Sequence, residues 1–128
     1  AVVTSPDKRS GRGMKLAASP IKNVSEDLSY PIYQPTDLKD PAFLSSITGI
    51  SADIFVVVAF RILPDELISI PHEGAVNIHA SLLPQYRGAA PIHRAILNGE
   101  SETGVTTFRI QSKVDTGDIL LQETLKKY

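Results

Sequence analysis

The sequence predicts an α/β fold, an open and mostly parallel sheet flanked by helices, and three observations carry that expectation. Residues 52–60, "ADIFVVVAF", form an unbroken β-branched and aromatic run, the composition of a strand covered on both faces and placed at the centre of a sheet. From there on strand-like runs alternate with helix-like segments, the order of a βαβ ladder with right-handed crossovers. The length of 128 residues suits one domain with a real core and is too short for two independent ones.

The elements follow in order. "AVVTS" (1–5) reads as a short strand, and "PDKRSGRGMKLAAS" (6–19), with two glycines and little apolar periodicity, as a long flexible loop. Ser19 and Pro20 read as an N-cap and a first-turn proline that open a helix over 20–29. "PIYQP" is a brief strand between prolines. Residues 37–50 read as a second helix, with Leu38, Phe43, Leu44 and Ile47 near one face and Gly49 as its stop. After the central strand come a short helix "PDELISI", a strand "GAVNIHA", a helix "APIHRAILNG", a strand "GVTTFRI", a loop "QSKVDTGD" and a last strand "ILLQETL".

Composition narrows the function classes. Hydrophobic residues make up 42%, charged residues 21%, and the net charge is −1, all ordinary for a globular chain. No apolar run approaches the ~20 residues of a membrane-spanning helix. With no cysteine, disulfide scaffolds, thiolate zinc sites and thiol nucleophiles are excluded, and a reducing compartment fits. The start of the chain, without an initiator Met or a signal peptide, suggests a piece of a longer protein. The small net charge hides an asymmetry: Lys8, Arg9, Arg12, Lys15 and Lys22 against Asp7 give the first 22 residues a local excess of +4. Such a patch suits a polyanion, because phosphate neutralisation supplies most sequence-independent nucleic-acid affinity; on charge alone it reads more readily as a solvated loop.

The stretch "NIHASLLPQYRGAAP" (77–91) raises the functional question. Strand residues i and i+2 share a face, so Asn77 and His79 reach one locus at a strand's carboxyl end, where ligands bind in open parallel sheets. The loop after "GVTTFRI" brings Asp115 as a third candidate. A carboxylate favours the protonated imidazole and fixes its tautomer, and a neighbouring carboxamide donates to an oxyanion, so the trio suits attack on a carbonyl carbon. Taken singly, each residue reads as well as a turn amide, a half-buried histidine and a capping aspartate.

Three other chemistries fit less well. Ser81 lacks the G-x-S-x-G elbow of a hydrolase nucleophile. His72, His79 and His93 match no zinc spacing, so no metal is expected. "SGRGMK" matches neither nucleotide-binding glycine motif.

Taken together, residues 77–105 and "VDTGDILLQ" (114–122) resemble the formyltransferase family that uses 10-formyltetrahydrofolate, and the resemblance extends over nearly the whole chain. It implies a Rossmann-like catalytic domain over 1–128 that is partial here: the family's first strand and helix would precede Ala1, and its C-terminal barrel domain would follow Tyr128. It implies Asn77, His79 and Asp115 as catalytic residues and 10-formyltetrahydrofolate as formyl donor, without a metal. Phe60, Arg61, Ile62 and Leu63, within "AFRILP", would line the pterin pocket, joined by Ser81, Leu82, Leu83 and Pro84. The "RGAAPI" turn and the loop "SPDKRSGRGMKLAASPIK" resemble the branch acting on initiator methionyl-tRNA, which would place Arg12 first, then Lys15, with Lys8 and Arg9, against the RNA. A monomer in the bacterial cytosol or an organelle interior, with no membrane partner, is implied. The alternatives are a formyltransferase acting on another small amine or a nucleotide-sugar, a 10-formyltetrahydrofolate hydrolase, and a non-catalytic RNA- or folate-binding module.

Overall fold

A computed structural model describes residues 1–10, 14–111 and 117–126. The chain forms two compact units, residues 1–50 and 51–128.

In the first unit, strand β1 (Val2–Val3) pairs in parallel with β4 (Ile32–Tyr33). Helix α1 (Pro20–Asp27) lies between them in sequence, so the unit has the βαβ order that the sequence predicts. Its start is where the cap signal puts it. Ser19 is extended, its Oγ accepts the Lys22 amide hydrogen at 3.2 Å, and Pro20 occupies the first turn, where a missing N–H costs nothing.

The segment expected to be a flexible loop differs from that expectation. Strands β2 (Lys8–Ser10) and β3 (Lys15–Ala17) pair antiparallel, Lys8 opposite Ala17 and Arg9 opposite Leu16, and make a basic hairpin. The low apolar content concealed it, because an exposed two-stranded ribbon buries little and is held by ladder hydrogen bonds and by what anchors its base.

Helix α2 (Pro41–Gly49) begins four residues later than the periodicity predicts. Asp40 explains the shift: its carboxylate accepts from the amides of Ala42 (3.4 Å) and Phe43 (3.3 Å), ahead of a first-turn proline. Phe43 and Ile47, one turn apart, are its buried residues, and Leu38 is buried just ahead of it.

The second unit holds a four-stranded sheet in the order β5 (Phe55–Val58), β6 (Ala75–His79), β7 (Glu102–Arg109), β8 (Ile119–Lys126). The pair β5 and β6 is parallel, joined through the single-turn helix α3 (Asp65–Ile68). The later pairs, β6 with β7 and β7 with β8, are antiparallel, so this sheet is mixed where a mostly parallel one is expected. The composition of β7 and β8 carries no sign of direction, and a strand returning after helix α4 (Pro91–Leu97) can add either way. Strand β5 also differs from the expected centre: it ends this sheet, with Phe55 and Val57 turned inward and Val56 and Val58 60% and 58% exposed. The best-buried side chains of the unit, Phe108, Thr106 and Ser81, gather around β6 and β7.

The α2 cap is directly testable. Asp40→Ala should lower stability by about 1 kcal/mol, read as a lower urea midpoint at an unchanged m-value.

Candidate active site

The carboxyl ends of β5 and β6 open onto a cavity of about 750 Å³. Asn77 and His79 both line it, two residues apart on one face of β6, as the strand period requires. Asn77 stands between Val57 of β5 and Phe108 of β7; His79 is opposite Thr106. Phe108, 2% exposed, contributes an apolar wall, and residues 59–63 leave β5 along another, with the Arg61 guanidinium 5.1 Å from the Phe60 ring centre. The turn at 88–93 completes the lining. Phe60, Arg61, Ile62 and Leu63 therefore face the same space as the amide and the imidazole.

His79 is buried, and its Nε2 lies 3.1 Å from the carbonyl oxygen of Tyr86. A carbonyl only accepts, so Nε2 carries the hydrogen; Nδ1 is left to accept, or to donate once the ring is protonated. The Tyr86 carbonyl is held in turn by its own side chain. The phenol donates to Glu100, accepts from Asn98 Nδ2 at 3.0 Å, and sits 5.5 Å below the Arg94 guanidinium. Hydrogen bonding to Glu100 pushes this phenol above its ordinary pKa, so the hydroxyl keeps its proton and stays a donor. Tyr86 adopts φ 55°, a left-handed backbone that a bulky residue holds only when its surroundings demand it.

Ser81, Leu82, Leu83 and Pro84, expected near the folate, are not among the residues that line the cavity. They form the frame behind it. Ser81 is fully buried and donates to the Gln85 carbonyl at 2.7 Å. The hydroxyl of Thr106, also fully buried, donates to the Ser81 carbonyl at 2.7 Å and accepts from Leu83 N at 3.0 Å and from Gln122 Nε2 at 2.9 Å. Gln122 also donates to the Leu83 carbonyl at 2.9 Å. Leu82 packs so close to β7 that a Cβ on Gly104 would stand 2.4 Å from its Cδ2 and 2.3 Å from the Glu123 carbonyl. Only glycine fits there.

Asp115 and Arg12 lie outside the described residues, as do Val114 and Thr116 on either side of Asp115. Lys8, Arg9 and Lys15 fall in the hairpin of the first unit, Lys8 and Arg9 exposed. Among the described residues no cluster of three His, Cys, Asp or Glu side chains is placed to hold a metal ion, and no helix is long and apolar enough to cross a membrane.

Residues 1–126 match the family described as Formyl transferase. The chain belongs to that family. A methionyl-tRNA formyltransferase of Moorella thermoacetica is 52% identical over 126 residues, covering 98% of this chain and 40% of that protein. The chain thus spans about two fifths of the curated relatives it matches. Among solved structures, the phosphoribosylglycinamide formyltransferase of Bacillus halodurans superposes with a TM-score of 0.75 over 88% of this chain and 62% of its own, at 23% identity, which establishes the Rossmann-like fold. A formyltransferase of Anoxybacillus kamchatkensis, solved with tetrahydrofolate and a formamido nucleotide-sugar, is 28% identical with a TM-score of 0.58 over 84% of this chain and 56% of its own.

Sequence reading singled out Asn77, His79 and residues 60–63 but not Thr106, Gln122, Tyr86 or Gly104. Gly104 did carry a signal, a lone glycine inside a strand pattern. Thr106 carried none, since a threonine is an ordinary strand residue.

Thr106→Val keeps the shape and removes the hydroxyl, leaving the Leu83 amide, the Ser81 carbonyl and one Gln122 hydrogen without their partner. It should destabilise by about 1–3 kcal/mol, against a smaller loss for Thr106→Ser, both read by chemical denaturation.

Proposed function

We propose that the protein containing this chain transfers a formyl group from N10 of 10-formyltetrahydrofolate to the α-amino group of initiator methionyl-tRNA. The observation that carries this reading is the placement of Asn77 and His79 together on the wall of the cavity at the end of β6, in a chain about half identical to methionyl-tRNA formyltransferases. Residues 60–63 line the same cavity and offer a wall for the pterin.

The chemistry follows from the side chains. The neutral amine attacks the formyl carbon; the new C–N bond forms as the carbonyl π electrons move to oxygen. The Asn77 carboxamide and the protonated His79 ring stabilise this oxyanion, a task for preorganised donors. Asp115 sustains the imidazolium and takes part in moving the proton that the amine loses to N10, whose bond to carbon then breaks to release tetrahydrofolate. With Nε2 already given to the Tyr86 carbonyl, Nδ1 is the ring atom that serves the reacting group. The exposed Lys8 and Arg9, with Arg12 and Lys15, supply positive charge toward the RNA backbone.

Asn77→Ala and His79→Ala, in the full-length protein, should each lower kcat for charged initiator tRNA by about 10²–10³-fold with little change in folate binding. Unchanged kcat in both variants would sink the catalytic reading. Formylation of a free amino acid, an amino sugar or water at a kcat/KM equal to that for charged tRNA would instead favour the small-substrate members of the family.

A further inference from the structure

One polar cluster, within the first unit, is not used by the chemistry. Asp7, the residue just before β2, receives two donors. Lys22 Nζ, from the first turn of α1, lies 2.8 Å from its Oδ2, and Gln34 Nε2, just past β4, lies 2.8 Å from its Oδ1. Gln34 Nε2 also reaches the Ser5 carbonyl at 2.9 Å. A few residues along, the hydroxyls of Thr4 and Ser19 meet at 3.0 Å, and Ser19 is itself the cap of α1. The two feet of the basic hairpin are therefore fixed to the end of β1, the start of α1 and the end of β4.

We propose that Asp7, Lys22 and Gln34 form a positioning clamp that aims the basic hairpin at the substrate polyanion, so that Lys22 belongs to the scaffold and not to the charges that meet phosphate. The proposal rests on the methionyl-tRNA reading given above. Several features support it. Among the described side chains, Lys22 has a carboxylate partner in Asp7, at 2.8 Å, with Glu26 3.9 Å away as a second. Its hydrogen bond to Asp7 holds the ammonium above its ordinary pKa, and the bonds from Lys22 and then Gln34 hold the Asp7 carboxyl below the usual carboxylate range. An exposed two-stranded ribbon has little core of its own, so its direction depends on what ties down its base. A hairpin whose arms carry Lys8 and Arg9 gains affinity for RNA only if those charges point the right way, and preorganisation reduces the ordering entropy lost on binding.

The experiment uses the full-length protein and charged initiator tRNA. Asp7→Asn, Lys22→Met, the double variant and Arg9→Ala are compared for kcat, for KM toward tRNA and toward the folate, and for the slope of log(kcat/KM) against log salt. Each clamp single should raise KM for tRNA about five- to tenfold while kcat and the folate KM stay unchanged. The double variant should be no worse than the singles, since either one opens the same clamp. Lys22→Met should leave the salt slope as it is, whereas Arg9→Ala should flatten it by about one. The proposal fails if Lys22→Met flattens the slope as Arg9→Ala does, if the clamp variants keep the original KM for tRNA, or if the folate KM rises in step. Lack of tRNA formylation by the unsubstituted protein overturns the substrate reading and the proposal with it, a result distinct from all of these.

Discussion

The hydroxyl of Thr106 stands opposite His79 across one strand pair and opposite Gln122 across the other, and all of its hydrogen-bonding capacity is used inside the protein. A buried hydroxyl with one donor and two acceptor bonds has a single good orientation, and so do the backbone groups it meets. This fixes the Ser81 carbonyl and the Leu83 amide, and with them the path of residues 81–85. One residue further on, that path delivers the Tyr86 carbonyl to His79. The imidazole is thus oriented by hydrogen bonds that begin on β8, by the backbone of residues 81–86 that they fix, and by the Tyr86 carbonyl at the ring, and of the residues making those bonds only His79 is among those that line the cavity. A general acid or oxyanion donor needs its geometry set before the substrate arrives, and here the sheet itself sets it.

The site was legible in the sequence where periodicity alone decides placement. Asn77 and His79 share a face because strands alternate, and they meet a cavity because β5 and β6 are parallel and end at the same edge. The capped starts of α1 and α2 were equally local: Ser19 before Pro20 is a two-residue signal, and Asp40 before Pro41 the same signal placed four residues into the predicted helix. What could not be read was anything decided by partners distant in sequence. The direction of β7 and β8, the frame around Thr106 and the Tyr86 clamp each join residues that only the fold brings together. The motif at residues 81–84 marks them as important, but not whether they touch the ligand or hold what does.

The basic segment shows the converse error of reading composition as state. Two glycines and a run of cations suggest a loop, and Lys8–Ser10 nevertheless pairs antiparallel with Lys15–Ala17. The apolar signal that marks strands elsewhere measures burial, and an exposed ribbon has none to show. Its support comes instead from Asp7, the lone acidic residue of the first 22, which appears in the charge balance only as a subtraction from +4. Spatially that residue is the anchor, joined to Lys22 and Gln34.

Both halves of the chain therefore solve one problem in the same way. A functional group that must meet a substrate cannot be packed on every side, so its direction is set by a buried or half-buried polar network one layer behind. His79 depends on Thr106 and Tyr86; the hairpin's cations depend on Asp7. Such networks tolerate poorly the loss of one partner, because the groups left behind lose a hydrogen bond without regaining water, whereas the accessible group can be exchanged at little structural cost. The physical consequence is a separation of readouts. Substitution of an accessible residue should alter chemistry or salt dependence at nearly constant stability, and substitution of a network residue should alter stability or substrate KM while the intrinsic chemistry of the exposed group persists.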